Sequence, residues 1–193
     1  MVGHGRRIGL VMTEKRMPRL FTGIEIPPGI AQMLDMLRGG LPGARWIDRE
    51  NYHITLRFLG DIDDRAAQEA ANMLDRVERA PFDLHLEGLA SFGGRKPRAV
   101  VASVAPEPAL LDLQAEQERL MRRIGLDPEA RKFTPHVTLA RLRGSSSLDV
   151  AEYLSARGYF RTAPFRVERF VLFSSRASTG GGPYVVEEEY PLS

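Results

Sequence analysis

Asn51–Leu59 reads NYHITLRFL, and Phe133–Leu142 reads FTPHVTLARL. Each contains the tetrapeptide His–aliphatic–Thr–Leu, at His53–Leu56 and again at His136–Leu139. Both stretches alternate between apolar and polar residues, which predicts strands. Successive side chains on a strand point to opposite faces. His53 therefore shares a face with Thr55, and His136 with Thr138, while Ile54, Leu56, Val137 and Leu139 turn toward a core.

This arrangement suits phosphoryl chemistry. A histidine titrating near 6.5 serves as acid or base at neutral pH. Two facing each other can divide the work, one taking a proton from attacking water and the other protonating the leaving oxygen. A threonine two residues along stands beside each ring, with a hydroxyl to donate to an anionic oxygen. Two such strands, related by pseudo-symmetry, would hold one phosphate between four side chains and need no metal. The chain has four histidines. His85 lies between Asp83 and Glu87 on the polar side of an alternating stretch and is expected to be solvated, and His4 belongs to the N-terminal segment.

Outward from the two motifs, strands are predicted at Arg19–Ile26, Ala44–Ile47, Tyr52–Leu59, Phe82–Leu86, Arg98–Val104, His136–Leu142, Phe165–Phe173 and Tyr184–Tyr190. Helices are predicted after Pro27 and Pro28, from Asp61–Asp64 to about Arg79, after Pro106 and Pro108 with Leu110, Leu113, Gln117, Leu120 and Ile124 in period, and over Leu148–Ala156. The strands alternate instead of forming continuous apolar runs, which favours antiparallel sheets backed by helices, an α+β fold, over a doubly wound parallel sheet. Arg143–Ser147 and Ser178–Pro183 read as loops.

Composition narrows the chemistry. The chain of 193 residues holds 27 Lys and Arg against 25 Asp and Glu, a net charge of +2. Only Lys15, Lys96 and Lys132 are lysines, so the cations are almost all arginine. Residues 1–18 carry Arg6, Arg7, Lys15 and Arg16 against Glu14. That segment reads as a basic, flexible N-terminal extension, and the remainder is slightly acidic. By net charge the body is therefore no broad nucleic-acid platform. With no cysteine, thiol catalysis, disulfides and thiolate-bound zinc are excluded. No apolar run approaches the roughly 20 residues of a membrane span, and a cytoplasmic location is expected. No P-loop, GxSxG or dinucleotide-binding fingerprint is present, and no His, Asp or Glu cluster stands at metal-ligand spacing beside either motif.

The two tetrapeptides, with Arg19-Leu20-Phe21, Arg45-Trp46-Ile47, Leu89–Gly94, Pro97–Val101 and the PHVTLAR run, carry a resemblance to the two-histidine phosphoesterases, and among them to the RNA 2′,3′-cyclic phosphodiesterases, also called 2′–5′ RNA ligases. The resemblance spans about residues 19–190 and implies a single bilobal domain over 19–193. It implies two pseudo-symmetric lobes, each an antiparallel sheet backed by helices, around a central cleft. It further implies opening of a terminal 2′,3′-cyclic phosphate on RNA to a 2′-phosphate, with no metal or other cofactor. Reversible 2′–5′ joining of tRNA fragments is implied as well. By the same resemblance His53 and His136 are catalytic, Thr55, Thr138 and Arg141 hold the phosphate, and Trp46 and Phe133 contact base or ribose. Strict alternation turns Arg141 away from His136, and a bulge would restore it to the site. We assign His136 as the base on water and His53 as the acid to O3′, although pseudo-symmetry permits the reverse. A monomer acting on RNA ends is expected, with no membrane partner. Two other functions fit the same motifs: a phosphoesterase of a small cyclic nucleotide, and a non-catalytic RNA-end-binding protein.

Overall fold

A computed structural model describes residues 19–175 and 182–193. The expectations for residues 1–18 and for residues 178–181 of the Ser178–Pro183 loop lie outside the described residues.

The chain runs through two halves of like order. The first is β1 (Arg19–Glu25), α1 (Pro28–Asp35), β2 (Ala44–Trp46), a 3-10 turn at Arg49–Asn51, β3 (His53–Asp61), α2 (Asp64–Leu74), β4 (Phe82–Leu84) and β5 (Leu86–Phe92). The second is β6 (Ala99–Val104), α3 (Pro108–Arg123), β7 (His136–Leu142), α4 (Ser147–Arg157), β8 (Phe165–Val167) and β9 (Arg169–Ser175), and β10 (Tyr184–Pro191) closes the chain. Local chemistry sets the helix starts. Asp63 accepts the Ala66 N–H at 2.8 Å to cap α2. Pro28 and Pro108 occupy first turns, where their missing N–H costs nothing. Ser146 and Asp149 form a reciprocal capping box on α4.

Eight strands form one antiparallel sheet in the order β10-β9-β1-β3-β7-β6-β5, with β2 also on β7. The expected two lobes are therefore joined edge to edge. The seam is β3 against β7, paired at Ile54 and Val137. Farther along, β2 takes the place of β3 beside β7, from Ala44–Leu142 to Trp46–Ala140. The last strand of each half crosses to the other, because β5 pairs with β6 and β9 pairs with β1.

Two expected strands prove to be pairs. Phe82–Leu86 breaks at His85, and Phe165–Phe173 breaks at Glu168. β4 and β8 form a small sheet of their own. One residue at each break redirects the chain, and the His85 and Glu168 carbonyls accept N–H bonds from Ala105 (3.0 Å) and Leu192 (2.8 Å). α2 ends at Leu74, short of the expected Arg79, because the Arg76 and Val77 N–H groups turn back to Met73 and Leu74 in tighter turns.

The core lies on one face of the sheet, where Leu34, Leu74, Leu110, Leu113 and Met121 of the helices meet Ile54, Leu56, Val137 and Leu139 of the two motif strands. Helix α3, from the second half, also binds β3, from the first. Arg57 is 5% exposed, and its Nε lies 2.5 Å from the Glu118 carboxylate. Thr22 donates its hydroxyl to Gln117 Oε1 at 2.5 Å. Burying a guanidinium is costly unless it is paired, so this contact pins the motif strand to the opposite half. The other face of the sheet, bare of helices, carries the site.

Candidate active site

Both motif strands contain the same irregularity. Between β6 and β7 the register passes from Val101–Thr138 to Val100–Ala140, leaving Leu139 unpaired. Between β1 and β3 it passes from Gly23–Thr55 to Thr22–Arg57, leaving Leu56 unpaired. Each is a β-bulge, which inserts one residue and flips the alternation beyond it. Two consecutive residues are buried in each strand, Leu139-Ala140 and Leu56-Arg57, and the next residue returns to the open face. In β7 that residue is Arg141, and in β3 it is Phe58. The bulge thus carries Arg141 to the face of His136 and Thr138, where its charge acts on both histidines. Phe58, at the equivalent position, is 54% exposed.

The two imidazoles are held alike. His53 Nδ1 lies 2.8 Å from the Asn51 carbonyl, and His136 Nδ1 lies 2.6 Å from the Thr134 carbonyl. A carbonyl only accepts, so Nδ1 carries the proton in both rings and Nε2 is left for proton transfer. His53 Nε2 lies 3.1 Å from Thr55 Oγ1, which places the motif hydroxyl at the reactive nitrogen.

The surroundings of the two rings differ. His53 sits within an aromatic wall, with ring centroids at 5.1 Å from Phe21, 5.4 Å from Phe173 and 4.9 Å from Tyr184. Burial pushes its pKa down to about 4, aided by the charges of His136 and Arg141 and opposed by the Asn51 hydrogen bond. His136 has Phe92 edge-on at 4.7 Å. Its pKa is lowered too, first by burial and then by Arg141. Gly23 makes the aromatic wall feasible, since a Cβ there would lie 2.8 Å from the Ile54 carbonyl oxygen and 3.1 Å from the Phe173 ring.

Asn51 ties this wall to the ring it holds. Its backbone oxygen fixes His53, and its side-chain Oδ1 accepts the Tyr184 N–H at 3.2 Å. Gly182 lies directly over it, with φ of +99° and no room for a Cβ, which would come 2.4 Å from Asn51 Cγ. Asn51→Ala frees Tyr184 from the His53 ring. We expect kcat to fall about 10- to 100-fold with KM much less affected, because a small misplacement of a reacting group costs that order. A steady-state comparison checks this, and an unchanged kcat would refute it.

The structure brings together His53, Thr55, His136, Thr138 and Arg141, but two expected contacts go elsewhere. Trp46 pairs with Ala140 on the buried face, and its ring lies 5.8 Å from Tyr153 of α4. Phe133 packs against the core from partial burial. The exposed aromatics on the open face are Phe58 and Phe92. Phe58 follows Arg57 in the first motif. Reading it as a site residue needed the bulge, which no local signal announces. His85 lies outside the site, 3.5 Å from Glu87.

Comparison with known proteins agrees with this geometry. The model of the family described as LigT like Phosphoesterase matches residues 24–102 and again residues 103–184, once for each motif. The RNA 2′,3′-cyclic phosphodiesterase of Aquifex aeolicus is 31% identical over 156 residues, covering 77% of this chain and 81% of the relative. That of Aeropyrum pernix is 36% identical over 111 residues, covering 56% of this chain and 62% of the relative. Among solved structures, E. coli LigT complexed with 3′-AMP has a TM-score of 0.75 at 24% identity, covering 91% of this chain and 98% of that one. TT0787 of Thermus thermophilus has a TM-score of 0.76 at 23% identity, covering 90% and 97%. These likenesses show the same fold. With one family match on each half and one His-x-Thr strand inside each match, the chain belongs to the LigT-like phosphoesterase family.

Proposed function

We propose that this phosphoesterase opens a terminal 2′,3′-cyclic phosphate on RNA to a 2′-phosphate, with His53 and His136 as its acid–base pair and no metal ion. The observation that carries the reading is the common tether. Both rings spend Nδ1 on a carbonyl two residues upstream and keep Nε2 for proton transfer. The relatives named RNA 2′,3′-cyclic phosphodiesterase support the substrate class.

In the proposed step water attacks phosphorus opposite O3′. The P–O3′ bond breaks, O3′ takes a proton from one imidazolium, and water gives its proton to the other imidazole. The product is a 2′-phosphomonoester beside a free 3′-hydroxyl. His53 as acid and His136 as base is the assignment we propose; burial keeps the His53 ring neutral, so the phosphate anion bound between the rings must favour its protonation before it can serve O3′. Thr55, Thr138 and Arg141 supply donors and charge to the non-bridging oxygens as negative charge grows there. Phe58 and Phe92, exposed on the open face, are the proposed nucleoside contacts. A 5′-hydroxyl in place of water would join two RNA ends through a 2′–5′ bond by the same displacement.

The test is incubation with an oligoribonucleotide ending in a 2′,3′-cyclic phosphate. A 2′-phosphate product, formed at an unchanged rate after exhaustive chelation, is expected. A 3′-phosphate would overturn the regiochemistry, and loss of activity on chelation would overturn the metal-free step.

A further inference from the structure

The cleft face has a strongly asymmetric charge at one end. Along one rung of the sheet, Phe92 pairs with Ala99, Ala99 with Arg141, and Arg141 with Arg45. Arg143, exposed just beyond the end of β7, has its N–H held by the Gly43 carbonyl at 2.9 Å. The Leu142 N–H bonds to the Arg98 carbonyl at 2.8 Å, which anchors the β5–β6 turn with Arg95 and Lys96 at the same end. Three chain segments, 39–47, 88–106 and 136–148, thus converge there, and none contains Asp or Glu.

Arg45, Arg95, Lys96, Arg98, Arg141 and Arg143 are all exposed. Among the described residues, Arg95, Lys96, Arg98, Arg141 and Arg143 have no carboxylate within ion-pair distance; other cations share that property, and the rim differs in gathering them where the neighbouring segments hold no Asp or Glu. The other side of the His53 wall is different: a groove of about 480 Å³ there is lined by Glu25 and Glu50 as well as Arg49. A chain with a net charge of only +2 has collected six cations on one rim.

We infer that this rim is a track for the phosphodiesters of an RNA strand upstream of its reacting end. The substrate is then a single-stranded oligoribonucleotide, and a lone cyclic mononucleotide is a poor substitute. The inference rests on the proposed action at a terminal phosphate, because it is Arg141 that joins the track to that site. Cations in a row along a cleft wall neutralise successive phosphates without reading sequence. Phe92, 37% exposed at the head of the row, offers a base a stacking face.

The experiment compares a nucleoside 2′,3′-cyclic monophosphate with an octaribonucleotide ending in the same cyclic nucleotide, for the parent and for an Arg95→Ala/Lys96→Ala/Arg143→Ala variant. For the parent, kcat/KM on the octamer is expected to be at least about tenfold higher at low salt. It should fall with salt, with a log–log slope of about 2 for three phosphates neutralised on a single strand. The variant should lose most of that advantage and most of that slope while changing little on the mononucleotide. Equal parent values for the two substrates, or equal losses on both, would overturn the track. Binding of a fluorescent octamer with a terminal 3′-phosphate, followed by anisotropy, decides the matter without turnover. If neither cyclic substrate is opened, the activity reading fails, yet octamer binding weakened about tenfold by the variant still supports the track. Unchanged octamer binding overturns it, as does equally tight binding of an acidic peptide of matched charge.

Discussion

His53→Ala or His136→Ala is expected to lower turnover of a terminal 2′,3′-cyclic phosphate by about 10²- to 10⁴-fold, the usual worth of a positioned proton donor or acceptor. The fold should survive either change. Each ring makes its tether to a carbonyl of its own upstream segment, and the core beneath is built from Ile54, Leu56, Val137 and Leu139 on the opposite face. The loss should fall on kcat, since Thr55, Thr138 and Arg141 still hold the phosphate. The double variant should be little worse than the poorer single one, because a base without its acid partner completes only half of the proton traffic. Single-turnover rates, with circular dichroism to confirm folding, test this. Full activity in both single variants would remove the histidines from the reaction, and a purely additive double variant would mean that they act independently.

The parts of this site that were readable in the sequence are local ones. His53 with Thr55, and His136 with Thr138, need only period-2 alternation over three residues, and alternation held there. What required the folded chain is set by partners distant in sequence. Arg141 reaches the phosphate side because Leu139 has no partner on β6, a property of register between strands that the residues of β7 do not reveal alone. The same event in β3 buries Arg57 against Glu118 of α3 and exposes Phe58. Trp46 illustrates the reverse: its neighbour Arg45 takes the open face, and alternation sends the indole to Tyr153. The breaks at His85 and Glu168 also escaped notice, because a single redirecting residue leaves the apolar–polar rhythm intact on both sides.

The repeated bulge gives the pseudo-symmetry a direction. Acid–base groups and hydroxyls are duplicated across the seam, and a symmetric set could bind a cyclic phosphate either way round. The residue that follows each bulge is not duplicated: it is a guanidinium on one strand and a phenyl ring on the other. A cyclic nucleotide is likewise polar at one end and flat and apolar at the other. In the proposed reaction the difference between Arg141 and Phe58 would orient the substrate, and orientation would decide which of O2′ and O3′ faces the acid. The basic rim beyond Arg141 would extend the same polarity, drawing the proposed strand and the reacting phosphate toward the second half.

Stability is expected to fall as pH drops from 6.5 toward 4, and His53→Asn should remove much of that fall. His53 is held down to about 4 by burial, whereas an unfolded histidine titrates near 6.5. Between those values the unfolded chain binds a proton that the folded chain refuses, so stability rises with pH through this window. The advantage of the neutral ring is complete above 6.5 and is lost as pH falls through the folded pKa. At about 1.4 kcal/mol per unit, the shift to about 4 corresponds to about 3 kcal/mol. His136, lowered in the same direction, adds to it. Asparagine keeps a donor to the Asn51 carbonyl without a titrating group, so the urea midpoints of parent and variant should lie close together at pH 7, and the parent should fall away from the variant as pH drops toward 4. Parallel curves would show that His53 is not held neutral. The same penalty bears on the proposed reaction: burial disfavours the His53 imidazolium that would protonate O3′, and a phosphate anion between the rings would offset it.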